Sequence, residues 1–90
     1  MRLIPAPDVR VAGTDDGAML LDLSTGKFYG LNPTAAIMWR HIADGTAPEV
    51  VAQELSGELS VDRERLLSDV RSLVAVLHRN GVLVGEETVP

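Results

Sequence analysis

The run Asp22-Leu-Ser-Thr-Gly-Lys-Phe-Tyr-Gly-Leu-Asn-Pro-Thr34 constrains this chain more than any other, because it holds a strand end, a tight turn, a second strand and a helix start. Ser24-Thr-Gly26 fits a hairpin loop in which Gly26 takes a positive φ. Asn32 suits a helix N-cap, since its side-chain oxygen accepts from the unpaired amides of the first turn. Pro33 then falls at the first helical position, where a missing N–H is harmless. Lys27 to Leu31 is therefore a short strand pinned between a turn and a cap. At a sheet edge, such a strand offers unpaired backbone groups to an extended peptide. Phe28 and Tyr29 alternate across the strand, so one is buried and the other lines a groove. The sequence leaves open which.

The rest of the chain is read from periodicity and turn chemistry. Met1 to Pro7 forms an extended lead-in with two prolines. Asp8 to Ala12 is a first strand with Val9 and Val11 on one face, and Gly13 to Gly17 reverses the chain. Ala18 to Leu23 is a second strand, with Met19, Leu21 and Leu23 on one face and Leu20 making the other partly apolar. The pattern then turns helical. Pro33 to Ala43 carries Ile37, Met38, Trp39 and Ile42, and Asp44-Gly45 closes it. Trp39 is read as core first and as a groove wall second.

Thr46-Ala-Pro-Glu49 matches a capping box, opening a second helix that runs to about Ser56 and buries Val51 and Leu55. Asp62 caps a third helix reaching about Arg79, with Leu66, Leu67, Val70, Leu73, Val74 and Leu77 on its apolar face. Val82 to Val84 packs back on the core. The expected organisation is a lead-in over 1–7, one domain over 8–84 and a loose tail over 85–90. Three strands before three helices predict an α+β, winged-helix-like fold: a three-stranded antiparallel sheet followed by three helices.

Chemistry is sparse. With no cysteine, thiolate catalysis, disulfides and cysteine metal sites are excluded. His41 and His78 are far apart and read as surface or helix-end residues, Asp15-Asp16 and Glu86-Glu87 as solvated charges. No catalytic residue, metal ligand or cofactor is expected, so the chain reads as a non-enzyme. A net charge of −5 disfavours a polyanionic partner, because nucleic-acid binding rests on neutralising phosphates. No run has the length of a signal peptide or a membrane span, and a cytoplasmic location is expected.

One feature of the third helix exceeds simple amphipathicity. Asp69, Leu73 and Val76 form a flank at i, i+4, i+7, with Leu66 above them. Val76 lies off the main apolar stripe. It is either a tolerated surface valine or part of a half-apolar groove wall, with Asp69 available to a basic ligand residue.

The runs Asp16-Gly17-Ala-Met-Leu-Leu-Asp22 and Gly26-Lys-Phe-Tyr-Gly-Leu-Asn32, followed by Trp39, Gly45, Asp69-Val70 and Gly81-Val-Leu83, resemble the PqqD family of small domains, also called RiPP recognition elements. Ala35 departs from the glycine that family members often carry early in the first helix. The resemblance implies that the leader of a ribosomally made precursor peptide adds as a strand to Lys27, Phe28, Tyr29, Gly30 and Leu31. The leader would lie against the third helix at Leu66, Asp69, Val70, Leu73 and Val76. It further implies a monomeric carrier that presents a precursor, most closely a lasso peptide, to a leader peptidase and in turn to a cyclase. A chaperone serving a radical enzyme is the nearest alternative. Outside the family, the rivals are a winged-helix DNA reader using Arg63, Arg65, Arg71 and Arg79, and an obligate subunit of a larger synthetase.

Overall fold

In the computed structural model, which describes residues 2–88, the helix starts follow from capping chemistry. Helix α1 (Pro33–Ala43) opens where Asn32 Oδ1 accepts the Ala35 N–H at 2.8 Å. Helix α3 (Arg63–Arg79) opens where Asp62 Oδ2 accepts the Arg65 N–H at 3.3 Å. Between them, α2 (Pro48–Leu59) departs from expectation: its N-cap is Ala47, without a side-chain cap bond. Pro48 has no N–H to give and takes the first helical position, which leaves Thr46 outside the helix. Glu49 pairs instead with Arg71 of α3 at 2.9 Å. The helix also runs on through Gly57 to Leu59, beyond the expected end, and stops at Ser60, whose φ is 55°.

The strands β2 (Val9–Thr14), β3 (Gly17–Asp22) and β4 (Lys27–Leu31) form the three-stranded antiparallel sheet, in the order β2-β3-β4. Thr14 pairs with Gly17, so the first turn is only Asp15-Asp16 and the strands run further into the expected loop. Gly26, at φ 76°, closes the second turn and donates its N–H to the Asp22 carbonyl at 2.8 Å. Gly17 is obligatory for two reasons. Its φ is 140°, and a Cβ there would run into the Leu31 carbonyl oxygen of β4.

The chain ends are more structured than a lead-in and a loose tail. Strand β1 (Leu3–Pro5) pairs antiparallel with β5 (Leu83–Gly85), matching Ile4 with Val84. The Glu86 N–H then bonds the Arg2 carbonyl at 2.9 Å, and Glu86–Thr88 makes one 3-10 turn. Residues 89 and 90 of the expected tail lie outside the described residues. Pairing rescues β1 because an extended segment with an apolar face is stable only when its backbone groups find partners.

One core joins the sheet to the helices. Leu20, Val51, Leu55, Val70, Val82 and Leu83 are fully buried, with Trp39 and Met38 beside them. Each such leucine contributes about 1.5–3 kcal/mol relative to exposure. Of the two apolar rows on β3, the Leu20 row faces this core, while Leu23 lies beyond the strand and is exposed.

Asp22 shares the Leu20 row and is nearly inaccessible, yet it remains a good carboxylate. The Ser24 hydroxyl donates to its Oδ1 at 2.6 Å and the Ser24 N–H at 3.0 Å. The Ser24 hydroxyl bond does most to hold its pKa below the ordinary 3.8; burial opposes this and is outweighed. A lowered folded-state pKa stabilises the fold above the unfolded value, and that contribution fades as pH falls through the folded one. Urea titrations of Asp22→Asn should therefore show a deficit at pH 7 that shrinks below about pH 4. A deficit independent of pH would remove the charge from the explanation. Gly17→Ala should lose about 2 kcal/mol in the same assay, from backbone strain and the clash with Leu31.

Candidate functional site

What the sheet leaves unpaired follows from its register. The Leu23 N–H donates to the Asp8 carbonyl at 3.0 Å, and bonded pairs recur at every second position of an antiparallel ladder. Arg10–Leu21, Ala12–Met19 and Thr14–Gly17 are thus the bonded pairs between β2 and β3. Ala18, Leu20 and Asp22 then turn their N–H and C=O toward β4, where Leu31 and Tyr29 answer Ala18 and Leu20. The closeness of the Leu31 carbonyl to Gly17 agrees with this assignment. Phe28 and Gly30 consequently turn their backbone groups to the outer edge of β4, where no strand pairs with them among the described residues.

The other edge of the sheet is occupied at Val9, while Val11 and Gly13 also turn outward. On β2 the Val9 N–H is bonded to the Ala6 carbonyl at 3.1 Å, and the Val9 carbonyl accepts from the Arg10 guanidinium at 3.0 Å. Blocked or charged edges are how sheets avoid unwanted pairing. On β4 no such partner is found for Phe28 or Gly30 among the described residues.

A groove of about 500 Å³ starts where β4 ends. One wall is the opening of α1, with Asn32, Thr34, Ala35 and Met38. The other is α3, with Arg65, Leu66, Asp69 and Leu73, and Leu59 and Val61 complete the lining. The α3 wall carries one cation and one anion on successive turns beside apolar side chains. Neither the Arg65 nor the Asp69 side chain has an ion-pair or hydrogen-bond partner among the described residues. Arg63 and Arg71, by contrast, are held by Glu64 at 3.2 Å and Glu49 at 2.9 Å.

The groove brings together Leu66, Asp69 and Leu73 of the residues singled out in the sequence. Val70 is 0% exposed and belongs to the core, and Leu31 is 8% exposed and faces inward. Val76 is exposed but does not line the groove. On β4, Lys27 and Gly30 are exposed, Tyr29 packs half-buried against the core, and Phe28 is 65% exposed on the opposite face. The sequence reading did not place Thr34, Ala35, Met38 or Arg65 in the groove, and Trp39, its secondary wall candidate on α1, is buried in the core. The signals were available in Thr34–Met38 and Arg65–Asp69, each spaced i, i+4 on one helical face. No cluster of three or more His, Asp or Glu able to hold a metal occurs among the described residues, and none of their helices is long and apolar enough to cross a membrane.

Comparison with known proteins adds to this geometry. The model of the PqqD family, coenzyme PQQ synthesis protein D, matches residues 17–83. None of the curated proteins matches significantly. Among solved structures, the chain is similar to lasso peptide synthetase B1 complexed with the leader peptide, at 36% identity over 94% of this chain and 100% of that one, with a TM-score of 0.85. It is also similar to TbiB1 in complex with the TbiA(beta) leader peptide, at 30% identity over 91% of this chain and 95% of that one, with a TM-score of 0.82.

The edge assignment separates two neighbouring substitutions. Leu31→Pro removes an inward N–H and a core side chain, so it should lose about 3 kcal/mol or more in urea unfolding. Gly30→Pro removes only an N–H at the open edge, where proline is tolerated, and should lose about 1 kcal/mol or less. Equal losses would contradict the register.

Proposed function

The chain belongs to the PqqD family, and from that membership we propose that it is a non-catalytic adaptor that binds the leader of a ribosomally made precursor peptide by strand addition. The observation that carries this reading is the unguarded edge of β4, with Phe28 and Gly30 backbone groups turned outward, next to the α1–α3 groove. The similarity to two chains solved with leader peptides supports it. Main-chain bonds to Phe28 and Gly30 supply affinity that tolerates sequence variation, while side chains entering the groove supply selectivity. Leu66 and Leu73 receive apolar groups, Asp69 a basic one and Arg65 an acidic one.

The precursor is a lasso peptide in this reading, and the adaptor, a cytoplasmic monomer, presents it to a separate leader peptidase ahead of a cyclase. Its contribution is the local concentration and register of the substrate. An extended peptide loses freedom on binding, which keeps affinity moderate and allows release. The rival DNA reading is disfavoured by the net charge of −5 and by the engagement of Arg63 and Arg71 with carboxylates.

The test is a fluorescence-polarisation titration with the synthetic leader of the precursor encoded beside this gene. A labelled DNA duplex serves as control, at two salt concentrations. Saturable leader binding without DNA binding is expected. Asp69→Ala should weaken it about fivefold at unchanged melting temperature, the scale of one charge-assisted contact. Gly30→Pro should abolish it in a folded protein. Absence of leader binding by the wild type would reject the adaptor reading.

A further inference from the structure

Gly30 is not explained by the fold. Its φ is not among the positive ones, and a Cβ added to it would meet no atom within 4 Å. In the middle of a strand, glycine weakens the backbone and leaves nothing to pack, and any β-branched residue would serve the sheet better. Yet this glycine sits on the open edge of β4, two residues from Phe28, which is 65% exposed on the same outer face. Behind these two lie Met19 and Leu21, their cross-strand partners on β3, both half-buried. The result is a notch in an apolar surface: a bare backbone position bordered by an aromatic ring on one strand and two aliphatic side chains on the next.

We propose that this notch is a side-chain subsite for the bound peptide, taking a bulky apolar residue, best an aromatic one, on the outer face of the sheet. The inference rests on strand addition to β4 as set out above, and it assigns a second reading surface to that interaction. The argument is stereochemical. An antiparallel strand bonded to the Gly30 N–H and C=O places one residue directly opposite Gly30, and directly opposite residues project from the same face. That residue emerges over the bare glycine with no Cβ to oppose it. Its side chain lies across the glycine backbone and against Phe28 and Met19, in the way an aromatic partner covers an edge glycine. Residues on either side of it point to the opposite face, toward the groove side. The peptide is therefore held by its backbone in the middle and read on both faces, by the α1–α3 groove on one and by the notch on the other. Phe28, which contributes little to the core, acquires a role as the wall of this subsite.

Gly30→Val and Phe28→Ala test it, with the same labelled synthetic leader as probe. Gly30→Val leaves strand addition possible and should melt at or above the wild-type temperature, since its side chain enters open space. It should nevertheless weaken leader binding about tenfold, the scale of one apolar side chain losing its seat. Phe28→Ala should weaken binding by a similar factor. An alanine scan of the leader supplies the specific signature. One bulky leader position should matter for the wild type and cease to matter for Gly30→Val, because the introduced valine already occupies its seat. Binding of Gly30→Val within twofold of the wild type, with an unchanged scan, would overturn the notch while leaving strand addition intact. A wild type that fails to bind the leader would overturn both.

Discussion

In an antiparallel ladder each residue directs its N–H and C=O to one neighbour only, and everything distinctive about this protein follows from how that rule falls on β4. One bond, from the Leu23 N–H to the Asp8 carbonyl, marks the phase of the β2–β3 ladder. The phase passes through β3 and commits Tyr29 and Leu31 inward, leaving Phe28 and Gly30 with outward backbone groups. A register shifted by one residue would bury Phe28, expose Tyr29 and turn the Leu31 amide to the edge. The local devices around β4 guard against that shift. Asp22 braces the turn through Ser24, Gly26 closes it, Gly17 admits the Leu31 carbonyl, and Asn32 halts the strand by starting α1.

The two sheet edges differ in what lies beside them. At β2 an arginine folds back on the carbonyl its neighbour exposes, and a loop carbonyl takes the adjacent N–H. At β4 the chain leaves directly into α1, so no returning segment covers the edge. The helix that follows instead supplies a groove wall, and α3 faces it with an unpaired Arg65 and Asp69 over apolar side chains. Elsewhere on the helices Glu49 is paired with Arg71 and Glu64 with Arg63. Charged groups without intramolecular partners, beside an unsatisfied strand edge, are what a surface awaiting a peptide requires. A family match covering residues 17–83, and two similar chains solved with leader peptides, fit that picture.

Local chemistry carried the sequence reading a long way. The bounds of α1, the caps at Asn32 and Asp62, the Gly26 turn and the extent of β4 depend on residues within a few positions of each other, and these appear as read. It failed at α2, where Thr46 and Glu49 fit a capping box in pattern but Pro48 displaced the helix start, and Glu49 found a distant partner in Arg71. The pairing of Leu3–Pro5 with Leu83–Gly85 was not legible either. Three-residue strands have too little pattern to be recognised, and their pairing joins opposite ends of the chain.

The sequence by itself thus determined the order from β2 to α3, the caps at Asn32 and Asp62, the absence of cysteine chemistry and the pinning of Lys27–Leu31 between a turn and a helix. Those properties rest on backbone sterics and hydrogen bonds over short separations. Only the tertiary structure decided that Leu20 rather than Met19 faces the core, that Phe28 is outside and Tyr29 within, that Val70 is sealed, and that α1 forms half of the groove. The physical reason is that β3 and β4 carry apolar residues on both faces, so periodicity alone cannot orient them. Packing against the helices, and the register of the whole ladder, make the choice.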